Sequence, residues 1–117
     1  MLLIWERLVV ALPKGHRAAR KKFAGLRDVK GELLIMPSKD LLPSIHQMIA
    51  AAFLKNHMPL DRYQMAEHFQ TGINLTKARV GYMFLPSSAR DLVPDGVMLR
   101  TPGFSIGQLE TFCSMVA

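Results

Sequence analysis

The chain of 117 residues contains a single cysteine, Cys113. No disulfide can therefore form within it, which fits the reducing cytoplasm, where we expect the protein to reside. Long apolar runs are also missing, because Glu6 and Arg7 interrupt the hydrophobic segment at the start of the chain. That segment lacks the basic opening of a signal peptide as well, so we predict neither export nor contact with a membrane.

Few motifs of catalysis or metal binding are recognisable. The sequence contains no Cys-x-x-Cys or His-x-x-x-His pair and no glycine-rich phosphate loop. Cys113 could pair with a distant histidine as a nucleophile, but we interpret it as an apolar strand residue. We therefore predict that the chain is not an enzyme, that it has no catalytic residues, and that it binds no metal or cofactor.

Half of the residues are hydrophobic, so the chain can bury a core and forms one domain or part of one. Lysine and arginine outnumber aspartate and glutamate by 15 to 9, which gives a net charge of +6. This charge allows an anionic ligand, a nucleic acid or an acidic partner without selecting one of them. Five of the basic residues lie in 14–22, which we interpret as a solvated surface.

The hydrophobic pattern predicts strands that alternate with helices. Residues 42–56 repeat apolar side chains at helical spacing between two prolines, and a second helix opens at Phe69. This alternation predicts an α/β fold in which a parallel or mixed sheet forms the middle of three layers. Short apolar runs predict strands over 8–12, 32–36, 62–66, 82–85, 96–99 and 109–116, with a break at 101–103.

One β-α-β unit, residues 64–88, organises the rest of the chain. In such a unit a ligand binds where strands end and helices begin, because free backbone N–H groups and the positive end of the helix dipole collect there. The sequence therefore marks two sides of one cleft, 68–71 and 86–88. Phe69 also has the spacing of a core residue, and Gln70 and Ser87 have the alternative role of capping local backbone.

Three segments follow one another in a distinctive order: LVVALPKGH at 8–16, GELLIMP at 31–37, and QMAEHFQTGINLTKARVGYMFLPSSARDLVPDGVMLR at 64–100. Their order and spacing resemble the effector-binding region of LysR-type transcriptional regulators. The positions that match the pattern of that family include Gly15-His16, Gln70-Thr71, Gly81, Leu85-Pro86 and Gly96-Val97.

The resemblance implies a periplasmic-binding-protein type 2-like fold, of which residues 1–117 would form the second regulatory subdomain plus two crossover strands. The helix-turn-helix domain and nearly all of the first subdomain of that family have no counterpart in the chain. The resemblance also implies a small-molecule effector, such as a small carboxylate, for which serine, glutamine and helix N–H groups are suitable partners. The residues that it places against the effector are Ser38, Leu42, Ser44, His68, Phe69, Gln70 and Ser87.

Arg79 departs from the family pattern, because it stands where the family usually has a glycine. A helix commonly ends at this position in a left-handed residue, and that conformation costs a non-glycine residue on the order of 1 kcal/mol. The sequence therefore predicts that Arg79 accepts this strain or that the helix ends differently.

We expect the protein to form homo-oligomers, because the crossover segments 2–12 and 108–117 would leave strand edges without partners. We expect no direct contact with DNA from this chain. One alternative is a small basic DNA-binding protein with a helix-turn-helix over 60–83, whose first helix would be 62–69. A second alternative is an oligomerisation or scaffold module without a ligand. A substantial parallel sheet would exclude the helix-turn-helix.

Overall fold

The computed structural model describes residues 2–37, 43–103 and 111–116. Each predicted strand and helix is present, together with one short strand that was not predicted. Neither α-helix within the described ranges is long and apolar enough to cross a membrane. The strands are β1 (Leu2–Pro13), β2 (Phe23–Ala24), β3 (Leu34–Pro37), β4 (Tyr63–Ala66), β5 (Tyr82–Pro86), β6 (Val97–Pro102) and β7 (Thr111–Val116). The helices are α1 (Pro43–Lys55) and α2 (Phe69–Lys77), with short 3₁₀ helices at Arg17–Arg20, Leu26–Val29 and Ser87–Leu92.

The strands form a mixed sheet with the order β2-β6-β1-β5-β3-β4 in the described part of the chain, and β7 pairs with β1. β3 is parallel to β4 and to β5, whereas β1 is antiparallel to β5, β6 and β7. Leu34 lies opposite Tyr63 on one side and Tyr82 on the other, so β3, β4 and β5 begin at one end of the sheet and stop at the other. The predicted α/β class is confirmed.

Residues 60–83, which the alternative reading assigned to a helix-turn-helix, fold as β4, α2 and the start of β5. The segment 62–69 would have to be the first helix of that motif, but half of it, Tyr63–Ala66, forms a strand that pairs in parallel with β3. The helix-turn-helix reading of this segment is therefore wrong. Its basic residues had made it possible, but the apolar run that begins at Tyr82 had already indicated a strand.

Alternating side chains divide the core into two layers, one on each face of the sheet. Leu34 and Met36 of β3 pack in the same layer as Phe53 of α1, whereas Ile35 packs in the other layer with Ile73 of α2. All five residues of β5 are buried, and the first four, Tyr82 to Leu85, alternate between the two layers in the same way. The sheet is therefore covered by a helix on each face, as the short continuous apolar runs predicted.

Helix α2 approaches the sheet closely at Gly72. A Cβ atom at this position would lie 2.9 Å from Cε of Met83 and 3.3 Å from Cγ2 of Ile35. One turn later Thr76 is fully buried, and its hydroxyl donates a hydrogen bond of 3.0 Å to the Gly72 carbonyl. The close approach is therefore made without leaving the buried hydroxyl unpaired.

Arg79 adopts the left-handed conformation that the family pattern gives to glycine, with φ of +66°. The Val80 N–H donates to the Leu75 carbonyl and the Arg79 N–H donates to the Thr76 carbonyl, both at 3.0 Å. These two bonds are the Schellman arrangement that closes a helix. Helix α1 ends in the same way, with His57 at φ of +55°. Of the two outcomes that the sequence left open, Arg79 accepts the strain.

The side chain of Arg79 provides a contact that glycine could not make. Its Nη2 atom donates a hydrogen bond of 2.9 Å to the carbonyl of Lys14, in the turn that follows β1. The guanidinium lies over Gly15, because a Cβ atom on Gly15 would come within 2.9 Å of the same Nη2 atom. The arginine thus ties the end of α2 to the turn after β1, which offsets part of the backbone strain.

Replacing Arg79 should separate these two effects. Arg79→Ala keeps the left-handed residue but loses the bond to Lys14, so we expect it to lower the free energy of unfolding by about 1 kcal/mol. Arg79→Gly loses the same bond but relieves the strain, so its stability should lie close to that of the parent chain. Urea unfolding followed by circular dichroism measures both. Equal stabilities of the two variants would show that the strain is negligible.

One predicted boundary is wrong. The sequence predicted a break at 101–103, but β6 continues through Pro102 because Thr101 and Pro102 pair in parallel with the short strand β2. Proline removes one donor from the ladder, and the next N–H, that of Gly103, donates instead to the Ala24 carbonyl at 2.7 Å. A proline at the last position of a strand is compatible with pairing, which the sequence pattern did not reveal.

Candidate functional site

The carboxyl ends of β3, β4 and β5 meet at one edge of the sheet, because the three strands are parallel. β4 stops at Ala66, shortly before α2, and β5 stops at Pro86, directly before the 3₁₀ helix at Ser87–Leu92. The start of α2 and Ser87 therefore lie at the same end of the sheet, on either side of β3. Adjacent strands are about 4.8 Å apart, so two strand spacings place them about 10 Å from one another. Such an edge is where α/β proteins bind ligands.

Helix α2 begins at this edge without a side-chain cap. His68 is the N-cap residue, with an extended backbone, and its exposed side chain makes no capping hydrogen bond. The first helical bond runs from the Gly72 N–H to the His68 carbonyl, at 3.2 Å. The N–H groups of Phe69, Gln70 and Thr71 precede it and have no partner within the helix. They and the positive end of the helix dipole suit a carboxylate.

Two residues of the first turn of α2 already have structural roles. Phe69 is partly buried and packs against the core layer beneath α2. Gln70 is exposed, and its Nε2 atom donates a hydrogen bond of 3.1 Å to Oδ1 of Asn74, one turn along the helix. The structural roles that the sequence left open, core packing for Phe69 and local hydrogen bonding for Gln70, are thus both present. A ligand that binds Gln70 would replace the weak surface hydrogen bond between Gln70 and Asn74 with a hydrogen bond to the ligand.

Ser87 closes the opposite side of the edge. It is partly buried, and its Oγ atom accepts a hydrogen bond of 3.3 Å from the backbone N–H of Arg7 in β1. The hydroxyl hydrogen remains a donor that can point towards a ligand. The partner Arg7, which lies 80 residues away, could not be predicted from the sequence, because the register of β1 against β5 is needed to find it.

The structure brings four of the seven predicted contact residues to this edge: His68, Phe69, Gln70 and Ser87. Ser44 lies in the first turn of α1, where the structure describes the backbone, and Ser38 and Leu42 lie outside the described residues. The four residues supply an imidazole, an aromatic ring, an amide and a hydroxyl. These groups can bind a small polar molecule with an apolar part. In the ranges described, no cluster of three or more His, Cys, Asp or Glu side chains could hold a metal ion.

The expectation that catalytic motifs are absent overlooked one pattern. Residues 103–107 read Gly-Phe-Ser-Ile-Gly, which has the Gly-x-Ser-x-Gly spacing of the nucleophile elbow of hydrolases. That motif acts at a sharp turn from a strand into a helix, with a histidine and an acid nearby. Residues 104–110 lie outside the described residues, and the next described element is β7, a strand. The match therefore rests on spacing alone.

Comparisons with known proteins agree with the fold. Residues 2–116 match the family model of the LysR substrate binding domain. The HTH-type transcriptional regulator AlsR of Bacillus subtilis (strain 168) is 30% identical over 84 residues, which are 72% of this chain and 28% of AlsR. The relative AlsR is a transcriptional regulator.

Solved structures share the architecture. The effector binding domain of BenM with its effector benzoate superposes with a TM-score of 0.71 and 18% identity, over 86% of this chain and 49% of that one. The effector binding domain of QuiR in complex with shikimate gives a TM-score of 0.68 and 16% identity over the same shares. The chain thus spans about half the length of these domains. The matched family model and the shared fold together show that this chain belongs to the LysR substrate binding domain family.

Proposed function

We propose that residues 1–117 are the second regulatory subdomain of a LysR-type effector-binding domain and sense a small organic acid. The observation that carries the proposal is the edge at which the uncapped start of α2 lies beside Ser87. The crossover strands of such a subdomain correspond to β1 and β7, which pair along Leu2–Arg7 and Thr111–Val116. This chain covers 49% of each matched effector binding domain, which supports the interpretation that it is one of two subdomains.

Carboxylates are the ligand class that the site favours. The N–H groups at the start of α2 would receive the carboxylate, and the Ser87 hydroxyl would donate to it. The ring of Phe69 would cover the apolar part of the ligand with its exposed face. Ser38, Leu42 and Ser44 would contribute from the segment after β3. Benzoate in BenM and shikimate in QuiR are both cyclic carboxylates, which supports this class for a related site.

We expect the subdomain to bind its ligand and not to transform it. The relatives are transcriptional regulators, which supports a function without catalysis. Contact with DNA would belong to other domains of a regulator, so the response of this chain to its ligand would reach DNA through association. The single cysteine supports a cytoplasmic location.

Self-association is part of the proposal. Within the described residues, the Leu2–Arg7 half of β1 pairs with β7 and with no other strand, whereas its second half lies between β5 and β6. Among the described residues, both edges of this β1–β7 ribbon therefore lack a strand partner, and so does the outer edge of β4. Unpaired edges of this kind readily pair with a second copy. We propose a homo-oligomer in which such edges are joined.

Calorimetric titration and thermal shift with benzoate, shikimate and related acids test the effector site. We expect saturable binding by at least one acid, with a melting temperature that rises by mass action. The double variant Gln70→Ala/Ser87→Ala should weaken this binding at least tenfold, because both side-chain contacts are lost. Gln64→Ala is the matched control, since Gln64 is exposed on β4 and bonds only to a neighbouring carbonyl among the described residues.

Three results would contradict the proposal. A salt-sensitive response to duplex DNA without any response to acids would favour a basic DNA-binding function for the chain. No response to either, with an oligomer in light scattering, would favour the scaffold module. An unchanged affinity in the double variant would show that the effector does not bind at this edge of the sheet.

A further inference from the structure

A second concave site lies at the opposite end of the sheet. It is a cavity of about 200 Å³ at the start of β4 and β5, lined among others by Phe53, Met58, Arg62 and Tyr82. Ser87 follows Tyr82 by five residue steps along β5, which corresponds to about 17 Å at 3.4 Å per residue. No small ligand can bridge that distance, so this cavity is independent of the effector site proposed above.

Tyr82 gives the cavity an unused hydrogen-bonding group. The side chain is 2% exposed, and its hydroxyl has no hydrogen-bond partner among the described residues. Every fully enclosed side-chain nitrogen or oxygen in the described part of the chain has a partner, so this hydroxyl is not fully enclosed and opens into the cavity that Tyr82 lines. Burial, with a smaller effect of the Glu32 charge, raises the pKa of Tyr82, so the phenol stays protonated. Buried tyrosine hydroxyls usually find a partner, and a ligand would supply one here.

The apolar wall of the cavity is built by the end of helix α1. The left-handed residue His57 turns the chain back, and the Met58 N–H donates to the Phe53 carbonyl at 2.9 Å. This turn places Met58 next to the buried Phe53, and Leu60 follows on the same wall. The helix cap fixes the backbone of this wall. It suits a small aliphatic group.

The rim of the cavity carries two positive and two negative groups: Lys30, Arg62, Glu32 and Asp61. One N–H group of the Arg62 guanidinium is held by the Gly31 carbonyl, which leaves further N–H groups for a ligand. Both oxygens of Glu32 lie 2.9 Å from Nε2 of His16. The rim is therefore balanced in charge.

The histidine on Glu32 is a neutral donor. Nδ1 of His16 accepts a hydrogen bond of 3.0 Å from the Ala18 N–H, so the imidazole proton lies on Nε2 and points at Glu32. The carboxylate of Glu32 thus keeps its negative charge. A ligand that carries a single negative charge would gain from Lys30 and Arg62 but would be repelled by Glu32 and Asp61.

We propose that this cavity binds a small zwitterion of the α-amino-acid type with an aliphatic side chain. The carboxylate would pair with Arg62 and Lys30, and the ammonium would pair with Glu32 and Asp61. The Tyr82 hydroxyl would donate to the carboxylate, and the aliphatic side chain would lie against Phe53 and Met58. A volume of about 200 Å³ is below the range of drug-sized sites, which restricts the ligand to a molecule smaller than a typical drug.

Three matched compounds test the ligand class: L-leucine, 4-methylpentanoate, which lacks the ammonium, and 3-methylbutylamine, which lacks the carboxylate. Each is titrated into the ¹⁵N-labelled chain, and amide shifts report where it binds. We expect leucine to shift the amides of Gly31, Arg62 and Tyr82 saturably, with a Kd at least tenfold lower than either partial analogue. A partial analogue that binds as tightly as leucine would overturn the zwitterion.

The variant Tyr82→Phe tests the site itself. It should weaken leucine binding about tenfold, because one hydrogen bond to a charged group is lost. The melting temperature of the ligand-free chain should stay unchanged, because the hydroxyl has no partner to lose. Tyr63→Phe is the control: Tyr63 is exposed and does not line the cavity, so binding and stability should both stay as in the parent chain.

Two outcomes would contradict the proposal of a second binding site. If leucine shifted the amides of His68–Gln70 and Ser87 instead, the ligand would belong to the effector site. If no compound gave saturable shifts, the cavity would not be a binding site. Neither outcome affects the acid-binding proposal, which depends on Gln70 and Ser87.

Discussion

Replacing Gly81 by alanine should lower the free energy of unfolding by about 3 kcal/mol or more. A methyl group on Gly81 would overlap the backbone carbonyl oxygen of Leu33, and a backbone atom cannot move aside as a flexible side chain can. The same oxygen accepts the Tyr82 N–H at 3.0 Å, so the shift would also disturb the start of the β3–β5 pairing. A loss of this size is a large part of the stability of a small domain. Urea unfolding measures it.

Gly25→Ala is the matched control. A Cβ atom on Gly25 would lie 3.5 Å from Oδ2 of Asp28, an ordinary contact, and the backbone φ of −88° suits any residue. We expect a change within about 0.5 kcal/mol. Equal effects at Gly25 and Gly81 would show that the closeness of Leu33 has no energetic weight.

Replacing Phe84 by alanine should cost about 3 to 5 kcal/mol. Phe84 is 1% exposed in the core layer beneath α1, and its ring meets that of Tyr82 edge to face at a centroid distance of 6.0 Å. Truncation would leave a cavity in the centre of the sheet that neighbouring strands cannot collapse into. The chemical denaturation midpoint should fall without a change in its slope.

Phe23→Ala provides the comparison. Phe23 is 52% exposed, and Nζ of Lys22 lies over its ring, 5.8 Å from the centroid. An exposed cation–π contact contributes about 0.5 to 1 kcal/mol, so the loss should stay below that of Phe84→Ala by several-fold. Comparable losses in the two variants would contradict the placement of Phe84 in the core.

Local sequence was sufficient for the secondary structure and the fold class. The helical spacing of residues 42–56 corresponds to α1, and the run 82–85 corresponds to β5, which is buried on both faces. Each of these patterns depends on residues within one or two turns of each other, so no distant information was needed. β2 escaped prediction because two residues carry no period.

The candidate site was predicted in part for the same reason. The end of β4 and the start of α2 are local features, so the sequence located His68 and Gln70 at a strand-to-helix junction. The hydrogen bond from Arg7 to Ser87 joins residues 80 apart and depends on the register of β1. The cavity at Tyr82 depends in addition on the cap of α1, which the sequence did not predict. The sequence pattern therefore predicted Tyr82 only as an apolar residue of a strand.

The sequence by itself determined the order of strands and helices, the faces that are buried, and the family resemblance that the matched family model confirms. The tertiary structure alone decided which strands pair, that Arg79 takes a left-handed conformation while holding Lys14, and that the Tyr82 hydroxyl has no hydrogen-bond partner among the described residues. The physical reason is the distance along the chain between the residues that determine each feature. Periodicity and turns are set by neighbours a few residues away, whereas pairing, strain and cavities are set by contacts between segments that are distant in the chain.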